Sequence, residues 1–180
     1  MRAITLMLFL MLGACASAPP RNLPPLAEVD LARFMGNWHV MANIPYFFER
    51  GKVATRDEYR LREDGRIDNH FVFRRGFDKP EKRWEGISTA RPDSGGARWT
   101  VQFVWPFRTD LEVLEVDADY RWALLATPDR ELAWLMARDG DMSPERYAGL
   151  VERFRRHGVD PNALQRVPQF AEQVGQPGFQ

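Results

Sequence analysis

Phe34-Met35-Gly36-Asn37-Trp38-His39-Val40, read FMGNWHV, follows a proline-rich segment near the front of a 180-residue chain. From here the sequence alternates: Trp38, Val40 and Ala42 fall on one side of an extended segment, while His39 and Asn43 interrupt any apolar run on the other. Alternation of this kind marks a half-buried strand, and a tryptophan suits such a pleated surface. The glycine two positions earlier is not explained by strand propensity.

Working outward, the same period-two signal recurs to about residue 137. Tyr59 and Leu61 lead into the turn Glu63-Asp64-Gly65, and Ile67, Asn69, Phe71 and Phe73 follow, which predicts a hairpin. Further strands are expected at 82–90, 97–104, 111–116, 120–126 and 131–137, with Pro92-Asp93-Ser94-Gly95-Gly96 and Thr127-Pro128-Asp129-Arg130 as punctuation. Eight strands with short connections indicate an all-β antiparallel meander, either barrel or sandwich. Ser143-Pro144-Glu145-Arg146 then supplies an N-cap serine and an N1 proline. Tyr147, Leu150, Val151 and Phe154 form a helical stripe that stops near His157-Gly158. One such helix cannot cover a large open sheet, but it suffices on the outside of a barrel.

The chain begins differently. Arg2 precedes the apolar run ITLMLFLML, which is too short to span a bilayer and fits a secretory signal. Leu12-Gly13-Ala14-Cys15 resembles the lipobox of bacterial lipoproteins, which implies cleavage before Cys15 and its acylation. Cys15 is the only cysteine, so the fold has no intrachain disulfide. The organisation expected is signal peptide 1–14, acylated cysteine and proline-rich tether 15–28, barrel domain 29–168 and flexible tail 169–180. With 25 basic and 25 acidic residues, the chain offers no net positive charge for a nucleic acid.

Gly36-x-Trp38, eight strands and a C-terminal helix, in that order, resemble the lipocalins. Asp119-Tyr120 resembles the family's acidic-tyrosine motif, and Arg138 its arginine that packs across the first-motif tryptophan. The resemblance covers about residues 30–168 and is closer to the bacterial outer-membrane lipocalins and their apolipoprotein-D-like relatives. Phe48-Glu49-Arg50-Gly51 and Tyr59-x-Leu61-x-x-Asp64-Gly65 carry it, while Trp105 departs from a Gly-Pro-Phe segment of close relatives. It implies an eight-stranded antiparallel up-and-down lipocalin barrel with the helix packed outside. It also implies that Gly36 turns the chain into the first strand and that Trp38 plugs one end beneath Arg138.

What the resemblance implies about function is a non-enzymatic carrier of fatty acid, lysophospholipid or another small hydrophobic ligand. The carrier would be held at the outer membrane through Cys15, facing the periplasm. It needs no cofactor or metal, and it admits a homodimer. Lining residues expected from alternation are Tyr59, Phe71, Phe73, Trp99, Val101, Phe103, Leu111, Val113, Trp122 and Trp134, while Phe47 and Phe48 lie in the first large loop. Arg74, Arg75, Asp78, Lys79 and Glu81 read as a solvated rim. His39, His70 and His157 are scattered and form no ligand spacing or catalytic pair. The competing reading is a lipid-anchored envelope module whose barrel is filled.

Overall fold

The computed structural model describes residues 22–179; Cys15 and the signal lie outside them. Eight strands run up and down: β1 (Gly36–Asn43), β2 (Val53–Leu61), β3 (Ile67–Arg74), β4 (Lys82–Ala90), β5 (Arg98–Val104), β6 (Phe107–Val116), β7 (Trp122–Ala126) and β8 (Ala133–Ala137). Each pairs antiparallel with the next, and β1 pairs with both β2 and β8, so the sheet closes on itself. Closure removes the unpaired edges that an open sheet would present.

Side-chain alternation sorts the strands into two faces. On β2, Thr55, Asp57 and Tyr59 point inward, whereas Arg56 points out and meets Glu58 at 2.9 Å and Glu81 at 2.8 Å. On β6 to β8 both faces are apolar, because the outer one is covered. Leu114, Leu124, Ala126, Leu135 and Ala137 receive Leu150 of α2 (Pro144–Arg153) and Phe154 just beyond it. Burying these two side chains contributes about 1.5–3 kcal/mol each. Ser143 caps α2 by accepting from the Arg146 amide. Glu115 of β6 holds its far end, taking Arg153, Arg156 and the His157 imidazole.

Several boundaries differ from the sequence expectation. β6 begins at Phe107, four residues before the expected start, since Val104 pairs with Phe107 across a two-residue turn, Trp105-Pro106. β7 starts at Trp122 because Tyr120, with φ 58°, belongs to the preceding turn. β8 starts at Ala133, after a loop closed by exchange between Thr127 and Leu132.

The chain after α2 runs back along the barrel into the described part of the segment expected as a tail, residues 169–179. β1 and β2 pair only through Gly36–His39, and above that they part. The chain after α2 wedges into the gap: a two-residue β9 (Gln165–Arg166) pairs with Ala42 and Asn43. The Val167 amide donates to the Met41 carbonyl at 3.0 Å, and Pro168 accepts from the Ala54 amide at 2.8 Å. Gln169 donates through Nε2 to the carbonyls of Val40 and Thr55. Beyond it, Phe179 lies against the Arg166 guanidinium, 4.3 Å from its ring centroid. The parted strands need these backbone partners, because unpaired buried carbonyls and amides are costly.

Candidate functional site: barrel floor and lumen

One end of the barrel is shut by residues from four separate segments. Asp30 caps the short helix α1 (Leu31–Phe34), accepting from the amides of Ala32 and Arg33, and this delivers Phe34 beneath the strands. Phe34 packs 4.8 Å from Trp38 and edge-on to Trp99 at 5.2 Å. Trp38 is fully buried and donates its indole N–H to the Phe34 carbonyl at 2.7 Å. Arg138 lies over the Trp38 ring at 3.8 Å. Its guanidinium donates to the carbonyls of Asn37, Arg33, Phe34 and Tyr120. The planar fork both stacks on an aromatic face and satisfies backbone acceptors, which a lysine cannot do.

Gly36 takes φ +96°, and a Cβ there would stand 3.2 Å from Arg138 Nη1. The residue is therefore glycine for two reasons, its left-handed backbone and the arginine beside it. Tyr120 points its hydroxyl at the Asp30 amide, 2.8 Å away. The acidic partner in that loop is Asp117 rather than Asp119. Asp117 accepts from the amides of Asp119 and Arg121 and from the Arg121 guanidinium, whereas the Asp119 carboxylate is exposed and 3.5 Å from Arg121. The sequence motif marks the turn, and the structure assigns its hydrogen bonding two residues earlier.

Above this floor the lumen has an aromatic wall and a polar wall. Phe71 and Phe73 stack at 5.3 Å, and Trp84 of the neighbouring strand closes on Phe73 at 4.8 Å. Gly86, two residues on, leaves room for Phe103, whose ring carbons would lie 2.7 Å and 2.9 Å from a Cβ at that position. Facing the aromatics is a set of polar groups. Glu49 folds inward from the loop after β1 and accepts from Trp134 Nε1 at 3.0 Å and Asn43 Nδ2 at 3.1 Å. Lys52 follows it in, with Nζ 4.7 Å from both the Phe73 and Trp84 ring centroids. Asn69 donates to Ser88 Oγ at 3.0 Å. Asn43 Oδ1, Asn69 Oδ1 and Thr55 Oγ1 are buried with no hydrogen-bond partner.

Burial dominates the electrostatics of this wall. It pushes the Asp57 carboxyl up to about 8, assisted by the nearby Glu49 and opposed by a hydrogen bond with Tyr59. Burial also raises Glu49, against the bonds from Trp134, the Tyr46 amide and Asn43 and the charge of Lys52. It lowers Lys52, helped by the charge of Arg75. Neutral forms are favoured because low-dielectric surroundings penalise ionisation.

The expected lining residues divide three ways. Phe71, Phe73 and Phe103 face the lumen above the floor, and Val101 and Trp134 face inward where they pack against the floor core. Tyr59, Trp99, Leu111 and Val113 also point inward, but they belong to the packed core that contains Phe34 and Trp38. Trp122 is a correction: it lies on the outer face with Leu124 and Leu135, under the Arg153 guanidinium at 5.1 Å. Its strand is apolar on both sides, so alternation carried no sign of which side was inside. Sequence reading missed Asn43, Glu49, Lys52, Thr55, Asp57, Asn69, Trp84 and Ser88 as lumen residues. Thr55-x-Asp57-x-Tyr59 and Trp84-x-Gly86-x-Ser88 do carry the alternation, whereas Glu49 and Lys52 sit in a loop with no period. Of the rim residues, Glu81 is held by Arg56, and Arg74 donates to the Lys79 carbonyl. Among the described residues, no group of three or more His, Cys, Asp or Glu could hold a metal ion.

Comparison with known proteins agrees with this architecture. The family model for the lipocalin-like domain matches residues 29–169. The outer membrane lipoprotein Blc of Citrobacter freundii is 30% identical over 164 residues, covering 89% of this chain and 91% of the relative. Temperature-induced lipocalin-1 of Arabidopsis thaliana is 32% identical over 158 residues, covering 83% and 84%. Among solved structures, lobster apocrustacyanin A1 superimposes with a TM-score of 0.63 at 13% identity, over 87% of this chain and 95% of that one. A closed eight-stranded barrel, a floor of Trp38 under Arg138, an external helix and these matches together place the chain in the lipocalin family.

Proposed function

We propose that this chain is a lipid-anchored lipocalin of the outer membrane that binds small hydrophobic ligands, fatty acid or lysophospholipid among them, in the upper lumen of its barrel. The observation that carries the reading is the asymmetry of the interior. One half is a packed core around Trp38, and the other presents Phe71, Phe73, Trp84 and Phe103 beneath loops that expose Phe47, Phe48, Trp105 and Phe107. A ligand site of this class is concave and mostly apolar, with few polar fixing groups. Burying about ten methylenes contributes about 8 kcal/mol before association costs, consistent with micromolar affinity. The outer-membrane assignment draws on the lipobox at Cys15 and on the Blc relatives, which are named as outer membrane lipoproteins.

The barrel and every contact described lie within residues 22–179, so the chain lacking residues 1–15 is the species to test. Incubated with a membrane lipid extract and repurified, it should retain acyl lipids identifiable by mass spectrometry. A folded barrel that retains none would favour the envelope module with a filled interior. A homodimer joining two open ends is a second proposal, favoured by the exposed Phe47, Phe48, Trp105 and Phe107. Sedimentation of the chain with and without lipid reads it, and a monomer in both states would reject it.

A further inference from the structure

Charge and hydrogen-bonding capacity inside the barrel are unbalanced in one direction. The barrel interior at and above the floor holds two carboxyl groups, Asp57, opposite Trp38 in register, and Glu49, and one ammonium, Lys52. Two of the buried atoms there that lack partners are acceptors, Asn43 Oδ1 and Asn69 Oδ1, and the third is the Thr55 hydroxyl. The strongest donor from the barrel wall, Trp134 Nε1, is already committed to Glu49. A buried acceptor without a donor costs more than the bond would gain, so the wall calls for a group that donates. The opposite wall is suited to a cation. Phe73 and Trp84 already hold the Lys52 ammonium against their rings at 4.7 Å, a distance within the range of cation–π attraction.

From this juxtaposition we infer that the lumen selects amphiphiles whose inserted polar group is a non-anionic hydrogen-bond donor, a primary ammonium first and a hydroxyl second, over the carboxylate of equal chain length. The inference rests on the carrier reading and adds the headgroup chemistry to it. One ligand ammonium gives the two carboxyl groups a second cation against which to ionise. A ligand carboxylate makes three acidic groups against one basic group and supplies only further acceptors. The raised Asp57 and Glu49 carboxyls follow the same logic: burial outweighs the Lys52 charge that favours the Glu49 anion, and a ligand ammonium adds a further cation. An alcohol satisfies one orphaned amide oxygen without changing the charge.

Calorimetric titration of the chain lacking residues 1–15 with dodecylamine, dodecanol and dodecanoate at one pH near neutrality tests the order directly. The amine should bind at least about tenfold more tightly than the acid, as one charge-assisted bond gained implies, with the alcohol between them. Asp57→Asn and Glu49→Gln, both near-isosteric, should each shrink the amine-to-acid ratio, since each removes a carboxyl that a ligand ammonium can ionise and keeps its shape. Equal or tighter binding of dodecanoate to the unmodified chain overturns the inference, and so does an amine preference that survives in both variants. Failure of all three amphiphiles to bind overturns instead the carrier reading on which the inference stands.

Discussion

Asp57→Asn is the perturbation that most directly tests the interior electrostatics. The carboxyl sits opposite Trp38 in the strand register and is pushed from its ordinary 3.8 to about 8. In the unfolded chain it ionises near 3.8, whereas in the barrel it keeps its proton until about pH 8. The folded state therefore binds the extra proton between those values. Its stabilisation is complete below pH 3.8 and is lost steadily as pH rises to about 8. A shift of about four units at 1.36 kcal/mol each sets a ceiling of about 6 kcal/mol. Relaxation of the site around the anion lowers this ceiling, and the realised loss is about 2–3 kcal/mol. Asparagine has the same shape and never ionises. The variant should match the unmodified chain near pH 4 and exceed it at pH 9 by about 5–10 °C in unfolding temperature for a body of this size. Thermal unfolding followed by near-ultraviolet circular dichroism from pH 4 to 9, at fixed ionic strength, reads the difference. Parallel curves for the two proteins across that range would refute the reasoning, and so would a variant less stable at pH 9.

Other perturbations separate floor from lumen. Trp38→Ala should cost about 3–5 kcal/mol in denaturant unfolding, because it empties a fully buried site and strips Arg138 of its aromatic face; a loss under about 1 kcal/mol would contradict closure by this residue. Gly86→Ala drives a methyl into the Phe103 ring and should displace it toward the lumen, weakening acyl-ligand binding about tenfold with a small effect on unfolding. Unchanged affinity would show that Phe103 does not border the ligand. Gln169→Ala leaves the Val40 and Thr55 carbonyls without their side-chain donor and should destabilise by about 1–3 kcal/mol, measured by chemical unfolding.

The sequence by itself determined the frame. The alternating runs and their turns specified an eight-stranded antiparallel meander, barrel or sandwich, and the single outer helix with the resemblance carried by FMGNWHV pointed to the barrel. Gly36, Trp38, Tyr120 and Arg138 were singled out by the family resemblance, and each stands where the backbone or its packing uses that residue type. Ser143-Pro144 marked the start of the outer helix for a reason confined to its first turn.

Tertiary structure decided what the interior is made of. Trp122 and Trp134 sit on apolar strands of similar composition, yet one lies beneath α2 and the other inside, because the helix makes both faces of that part of the sheet hydrophobic. Asp57 looked like one charge among Arg56, Glu58 and Arg60, and only closure of the sheet turned its face inward. Glu49 and Lys52 belong to a loop whose inward path depends on Trp134 and Asn43 as partners for one and on Phe73 and Trp84 for the other. The wedge at Val167–Gln169 exists because β1 and β2 separate, which neither strand encodes alone. Local patterning fixes which residues alternate; curvature, closure and the covering helix fix which of the two faces becomes the inside.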